Sequence, residues 1–531
     1  VIRVAGDYDQ DSAAALSVSV GSGGEGKAER NLVVAGAASL AGELVVIPVG
    51  FAGTPVNQEI VEVGGTRTGR FDPDPTVSPL LSALVCYHDD LQCPAPPISG
   101  VAPAPVPGAG IVSVQLVKTK TFAEVASTPN QLAVAQAVDA VQAAGVQDPA
   151  LDSLFDLTDQ AALDAGFDQL SPEPLGASAQ LAFENARWYT SSLSDHLREM
   201  RLGIRVAGQG AASGVQLASL GSGAGSVFRF APALSAQAAA APDLAARKLG
   251  VWQPRASGYA VLSDLGSGSS NTGYDAVTGV LGLGTEQWTR RNLLLGAELS
   301  AAYTHLTSDR DGTDFDAVSG RLAVYGSYDR SPWYLDVVTS YAYHWYDATR
   351  RIRYGSVEPV DLTADSEHGA HEVSSYLGTG FSFDYAGCDF GPEASVQYTA
   401  LFEEGYDEKS ASEVALDVAK RTQDSLSSRV GVRLSRPWQI DEQNRIEPSL
   451  SVAWAREWLD TSQNMEATFQ VSPVGRFEVA SRDLSRDAVV ARLGLRAAVS
   501  ETLLVDVGYG VDAGRSGYLS QQVGVAFSGR F

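Results

Sequence analysis

Residues 488–499 read AVVARLGLRAAV, and residues 503–511 read LLVDVGYGV. In an extended chain, successive side chains point to opposite faces. The first stretch then sends Val489, Ala491, Leu493, Leu495, Ala497 and Val499 one way, and Val490, Arg492, Gly494, Arg496 and Ala498 the other. The second opposes Leu503, Val505, Val507, Tyr509 and Val511 to Leu504, Asp506, Gly508 and Gly510. SSRVGVRLS (427–435) and PWYLDVVTSYAYHWY (332–346) repeat the pattern. One face is aliphatic and ends in aromatics. The other holds Gly, Ser, Arg, Asp and Glu.

A soluble sandwich would turn its apolar faces together and its polar faces to bulk water. Apolar faces that end in aromatic residues, set against a small and charged face, fit a membrane barrel instead. Lipid then lies outside, a wet lumen inside, and aromatic girdles at the two interfaces. A bilayer leaves no backbone group to water, so such a sheet must close.

Counting alternating segments predicts twelve strands, near 252–263, 273–286, 291–304, 315–329, 332–346, 369–385, 390–403, 425–437, 446–458, 485–499, 502–511 and 517–531. Connections after the third, fifth, seventh and ninth are long and polar. The one after the first is rich in Gly and Ser. Those after the fourth, sixth and tenth are short. Long outer loops and short periplasmic turns are the rule for outer-membrane barrels. The barrel is expected over 251–531.

Upstream the chain changes character twice. Residues 1–127 carry short β-prone runs broken by Gly or Asn, with Leu32-Val33-Val34 echoed by Leu44-Val45-Val46. Stacked β rungs or a small sandwich are expected. Residues 128–250 are helical in pattern. Thr128 and Pro129 form a start signal and Gly145 a stop. A longer helix over 172–202 carries Leu181, Ala182, Asn185, Trp188, Tyr189, Ser192, Leu193, His196 and Leu197 along one stripe. A further short helix is expected over 236–250. Either of the last two could fill the lumen: the first is long enough, and the second adjoins the first strand.

The 63 acids outnumber the 38 Lys and Arg, giving net charge −25. That balance argues against nucleic-acid binding, which needs cations for phosphate. No run of about 18 apolar residues is present for a transmembrane helix, and an export signal is expected upstream of Val1. Cys86 and Cys93 bracket a short segment, and Cys388 stands apart. The pair suits a small disulfide loop in an oxidising compartment. Metal binding with His88, Asp89 or Asp90 is the alternative, though one imidazole and two thiols make a poor zinc set.

HGAHE (368–372) lacks a third metal ligand, and DRDGTDFD (309–316) lacks the calcium-loop spacing. No catalytic residue, metal or cofactor is assigned. Arg429, Arg433, Glu447, Glu457, Arg492, Arg496 and Asp506 are expected to line the lumen. There they could hold a helix or a passing polypeptide, or brace one another.

Several segments together resemble the type Va autotransporters of type V secretion. They are TPNQ (128–131), DQLSPE (168–173), GVW (250–252), YDATRRIRYG followed by DLTADSEHGAHEVSSYLGTG, and the terminal GVAFSGRF. The resemblance runs from about residue 30 to the end. It implies an all-β membrane protein with a 12-stranded antiparallel β-barrel and a helix through its lumen. It also implies a passenger whose last β-helix rungs are residues 1–127. The expected function is export and surface anchoring of that passenger from the outer membrane of a Gram-negative bacterium. An uncleaved surface adhesin and a stand-alone porin are the alternatives.

The implied partners are outer-membrane lipid, the barrel-assembly machinery, periplasmic chaperones and the chain's own passenger, with the barrel monomeric. Val523, Val525, Phe527 and Phe531 then form the assembly signal as well as the last strand. Some relatives cleave at a neighbouring asparagine pair in the linker. Here Asn130 and Asn185 stand singly.

Overall fold

A computed structural model describes residues 1–21, 30–88, 110–202, 249–268, 271–309, 312–355, 359–409, 414–440, 445–498 and 503–529. The second half is a closed antiparallel barrel of twelve principal strands. They are Gln253–Leu265, Tyr274–Arg290, Leu293–Ser308, Asp314–Arg330, Trp333–Tyr354, Val360–Phe381, Cys388–Glu403, Arg421–Ser435, Arg445–Glu457, Asp487–Ala498, Leu503–Arg515 and Tyr518–Gly529. They are called barrel strands 1 to 12 below. Strand 1 closes the ring on strand 12, with Tyr259 opposite Gly524 and Arg255 opposite Ser528. Closure removes the sheet edge, so every strand has two neighbours.

The alternation decides which face meets lipid. Leu281 is 74% exposed, Leu283 70% and Val432 62%. Residues of opposite parity on the same strands, such as Thr278, Glu286 and Ser427, are buried toward the lumen. Aromatic residues on the outer face include Tyr303, Tyr341, Trp345 and Trp454 toward one rim and Tyr328, Phe381 and Phe527 toward the other. At the turn after strand 6, Ala386 and Gly387 both have positive φ, 53° and 75°. That twist suits a tight hairpin.

Two expectations need correction. Residues 347–354 and 360–368 do not form a loop. Strands 5 and 6 run on through them, pairing Asp347 with Glu367 and Arg353 with Asp361. Period two persists here under a polar composition: Ala348, Arg350, Ile352 and Tyr354 point inward and are buried. The hairpin survives beyond the membrane because its inner face packs on the linker. Tyr354 donates to the Ala150 carbonyl at 2.6 Å, and Arg350 donates to the Gln169 carbonyl at 2.9 Å. The second correction concerns the repeated Leu-Val-Val. Its two copies lie on different faces of one rung, in strands Leu32–Val34 and Glu43–Val49.

The N-terminal rungs stack in parallel. Ile2 pairs with Leu32 and Leu32 with Val61; Tyr8 pairs with Ala38 and Ala38 with Arg67; Ala15 pairs with Glu43. One rung therefore takes about 30 residues, within the range for solenoid repeats. Leu16, Val18, Val20, Leu44 and Val46 fill the interior. The stack ends where Gly110–Lys118 pairs antiparallel with both Val56–Val63 and Leu81–Tyr87.

Among the described residues, four α-helices follow: α1 Pro129–Ala143, α2 Pro149–Asp152, α3 Gln160–Leu170 and α4 Ala177–Leu202. Thr128 caps α1 reciprocally with Gln131, and Pro129 starts it without losing a needed N–H. Asp148 and Asp159 cap α2 and α3. One apolar core joins rungs, helices and outer barrel segments. Phe51 meets Phe155 edge-on at 5.2 Å, Phe122 lies 4.9 Å from Phe155, and Phe469, Phe477 and Val479 belong to the same cluster. The last three sit on Asn464–Phe469 and Arg476–Ala480. Those strands pair with each other, and the first also pairs with Leu416–Val418 over the barrel mouth.

Candidate functional site

The helix in the lumen is α4. Its 26 residues span about 39 Å at 1.5 Å each. The expected helix over 236–250 lies, apart from its last two residues, outside the described residues, as do Phe531, Cys93, Asp89 and Asp90 and most of the Pro-rich 93–110 stretch.

At the mouth, Glu173 accepts hydrogen bonds from Asn271 (3.0 Å) and from the Thr272 N–H (3.2 Å), and Arg421 donates to Ser178 at 2.8 Å. At the other end, near the start of strand 1, Arg201 donates to Ser327 at 2.8 Å and pairs with Asp336. Nearly all residues of its first half, 177–190, are buried, so no single apolar stripe describes it. Tyr189, Leu193 and Leu197 pack on Trp288, Leu294, Ala323, Tyr325 and Val338 of strands 2 to 5. Elsewhere the contacts are polar: Trp188 donates to Ser520 at 2.8 Å, Thr190 to Gln397 at 2.6 Å and Ser263 to Glu184 at 2.9 Å. His196 lies 2.8 Å from Glu286.

The seven expected lumen residues all face inward. Arg433 pairs with Asp195 at 2.6 Å and with Glu393 at 3.1 Å. Arg492 pairs with the same Asp195 at 2.7 Å. Arg496 bridges Glu199 on the helix and Asp506 on the wall, the latter at 2.9 Å. Arg429 donates to Ser191 at 3.3 Å. Glu457 accepts from Ser425 at 2.7 Å and lies 3.9 Å from Arg187. Glu447 accepts from Ser435 at 2.9 Å. Holding the helix and bracing the wall therefore occur together.

Sequence reading passed over the helix's own partners: Glu184, Arg187, Asp195, Arg198, Glu199 and Arg201. The signal was six charges in a segment otherwise fit for burial. Buried charges of this kind need partners.

His368 and His371 do not converge. Their odd spacing puts them on opposite faces of strand 6. His368 faces inward, 2.9 Å from Glu403, and His371 faces outward, 2.8 Å from the Tyr341 hydroxyl. Val523, Val525 and Phe527 lie on the lipid face, 52%, 38% and 45% exposed. Cys86 is disulfide-bonded, and Cys388 is a free thiol.

A closed twelve-stranded barrel with lipid-facing aliphatics and a salt-bridged helix through its lumen defines a class: an outer-membrane β-barrel occupied by its own linker. Residues 255–510 match the family described as Autotransporter beta-domain, so the barrel is a domain of that family. The barrel lies in the outer membrane, with its long loops outside. A translocator whose lumen holds its own linker does not favour the porin reading.

The chain is similar to an "Extracellular serine protease" of Serratia marcescens, 24% identical over 277 residues, covering 51% of this chain and 25% of that protein. It thus spans about a quarter of the length of the curated relatives it matches. Among solved structures it resembles the translocator domain of NalP from Neisseria meningitidis, at TM-score 0.42 and 16% identity, covering 54% of this chain and 91% of that one. It also resembles the β domain of BrkA from Bordetella, at TM-score 0.39 and 16% identity, covering 53% and 99%.

Proposed function

We propose that this chain exports an N-terminal passenger through the outer membrane and then keeps it at the cell surface. The observation that carries this reading is the path of α4. It runs from the rung-bearing segment at the outer mouth, down a closed lumen, to the periplasmic end where strand 1 begins. A chain laid out this way has crossed the membrane once inside its own barrel. Residues 1–127 are the passenger's terminal rungs, 128–250 the linker and 251–531 the barrel. The barrel itself performs no covalent chemistry; its work is passage and anchorage.

Anchorage is supported by the shared apolar core that ties rungs, α1 to α3 and the outer hairpins together. Val523, Val525, Phe527 and Phe531 serve the barrel-assembly machinery as the last strand's outward signal. Periplasmic chaperones carry the monomeric barrel to the membrane. Cys86 and Cys93 close a small loop in transit.

External protease on intact cells tests the reading. Residues 1–127 are expected to be accessible from outside while the barrel resists. A chain whose N-terminal rungs stay protected until cells are opened overturns it.

A further inference from the structure

The helix is not centred in the lumen. It runs closest to strands 4 to 7. Between its C-terminal half and strands 1 and 8 to 12 lies a cavity of about 100 Å³, and a second of about 50 Å³ lies between the helix and strands 5 to 10. Arg433 and Arg492 line both. The wall's other cations mostly have wall carboxylates. Arg255 has Glu298, Arg433 has Glu393, and Arg496 has Asp506.

Arg429 and Arg492 differ. Both donate to one helix hydroxyl, Ser191, and among the described residues Arg492 forms its ion pair with a helix carboxylate, Asp195. Arg429 pairs with no carboxylate among the described residues. Before α4 is in place, these two arginines lack a hydrogen-bonded countercharge and feel only the more distant wall carboxylates, Asp512 for Arg429 and Glu393 for Arg492. Such cations in a confined, partly desolvated site demand an anion.

The chain supplies one. From Thr121 to Ala186 there are ten acids and no Lys, Arg or His. Asp148, Asp152 and Asp156 are spaced by four residues, as are Asp164 and Asp168. Arg429 and Arg433 are likewise four apart on strand 8, as are Arg492 and Arg496 on strand 10. Four extended residues cover about 13 Å, so an extended acidic chain can meet this wall in register.

We infer that the Arg429–Arg492 wall is a transient binding surface for the acid-only stretch 121–186 of this same chain as it passes outward. This inference rests on the export reading above. Reversible charge contacts between these arginines and the acids would guide that stretch along strands 8 and 10. Asp195 and Ser191 would take the wall over once α4 forms.

The test is a pulse–chase of the full chain in cells, reading the half-time for residues 1–127 to become accessible to external protease. Heat-modified gel migration reports barrel assembly. R429E is expected to lengthen the half-time about threefold or more, and R429K, which keeps the charge, to leave it near wild type. Q136K/A143K/A165K places bases at exposed positions of the acid-only stretch. It is expected to slow export through the wild-type barrel and to recover in combination with R429E. Equal half-times for R429E and R429K in assembled barrels overturn the inference, as does a lysine triple that exports at the wild-type rate. If wild-type residues 1–127 never become accessible, the export reading itself fails.

Discussion

Trp188 of α4 lies against Gly510 of strand 11 and donates its indole N–H to Ser520 of strand 12 at 2.8 Å. A Cβ at Gly510 would stand 2.6 Å from the indole ring. The fully buried tryptophan therefore depends on a bare backbone opposite it. G510V is expected to destabilise the filled barrel by about 1–3 kcal/mol, the usual cost of overpacking. Thermal melting in detergent checks this. A conservative W188F, which keeps bulk but loses the donor, should cost less.

Asp195 holds two arginines from different strands. D195N leaves both without their shared carboxylate in a partly buried site. A loss of about 2–4 kcal/mol is expected, below the full figure for deep burial because Asp195 keeps 26% side-chain exposure. Planar-bilayer recording should show openings that the wild type lacks. An unchanged unfolding midpoint in D195N would contradict the role.

Asn130 acts as a surrogate strand. Its side-chain amide donates to the Ala480 carbonyl at 2.9 Å, and its side-chain carbonyl accepts the Ala480 N–H at 3.0 Å. N130A removes both bonds at the edge of the outer hairpin, a cost of about 1–2 kcal/mol. Limited proteolysis is expected to cut near 464–480 faster, with barrel migration on gels unchanged.

Phe155 links the rungs to the linker, touching both Phe51 and Phe122. F155A is expected to cost about 3–5 kcal/mol, because the rigid rings around it close the cavity poorly. Protease should then separate residues 1–127 from an intact barrel.

Asp152 lies in the linker outside the membrane. Burial raises its carboxyl above the ordinary range, and Gln142 and Lys118 oppose that only in part. A folded state that prefers the protonated acid is favoured below the unfolded value near 4 and loses that advantage as pH rises through the raised value. Protease resistance of α1 to α3 should therefore fall as pH rises above about 4, beyond whatever other groups contribute. D152N should flatten that part of the profile, and an identical profile in D152N would remove Asp152 from the account.

Period-two alternation is a property of the extended backbone itself, so the sequence alone determined the barrel's two faces, its twelve strands and the inward side of Arg429, Arg433, Arg492 and Arg496. The capping pattern at Thr128 and Pro129 is equally local. What lay beyond it were contacts between segments far apart in the chain. Whether 347–354 and 360–368 are strand or loop depends on helices two hundred residues earlier, which bury Ile352 and Tyr354. The partners of Asp195 sit on strands 8 and 10, and only closure of the sheet brings them to one helix. Tertiary structure decided which helix fills the lumen, because ion pairs inside a closed ring follow from which walls face each other, and no local pattern encodes that.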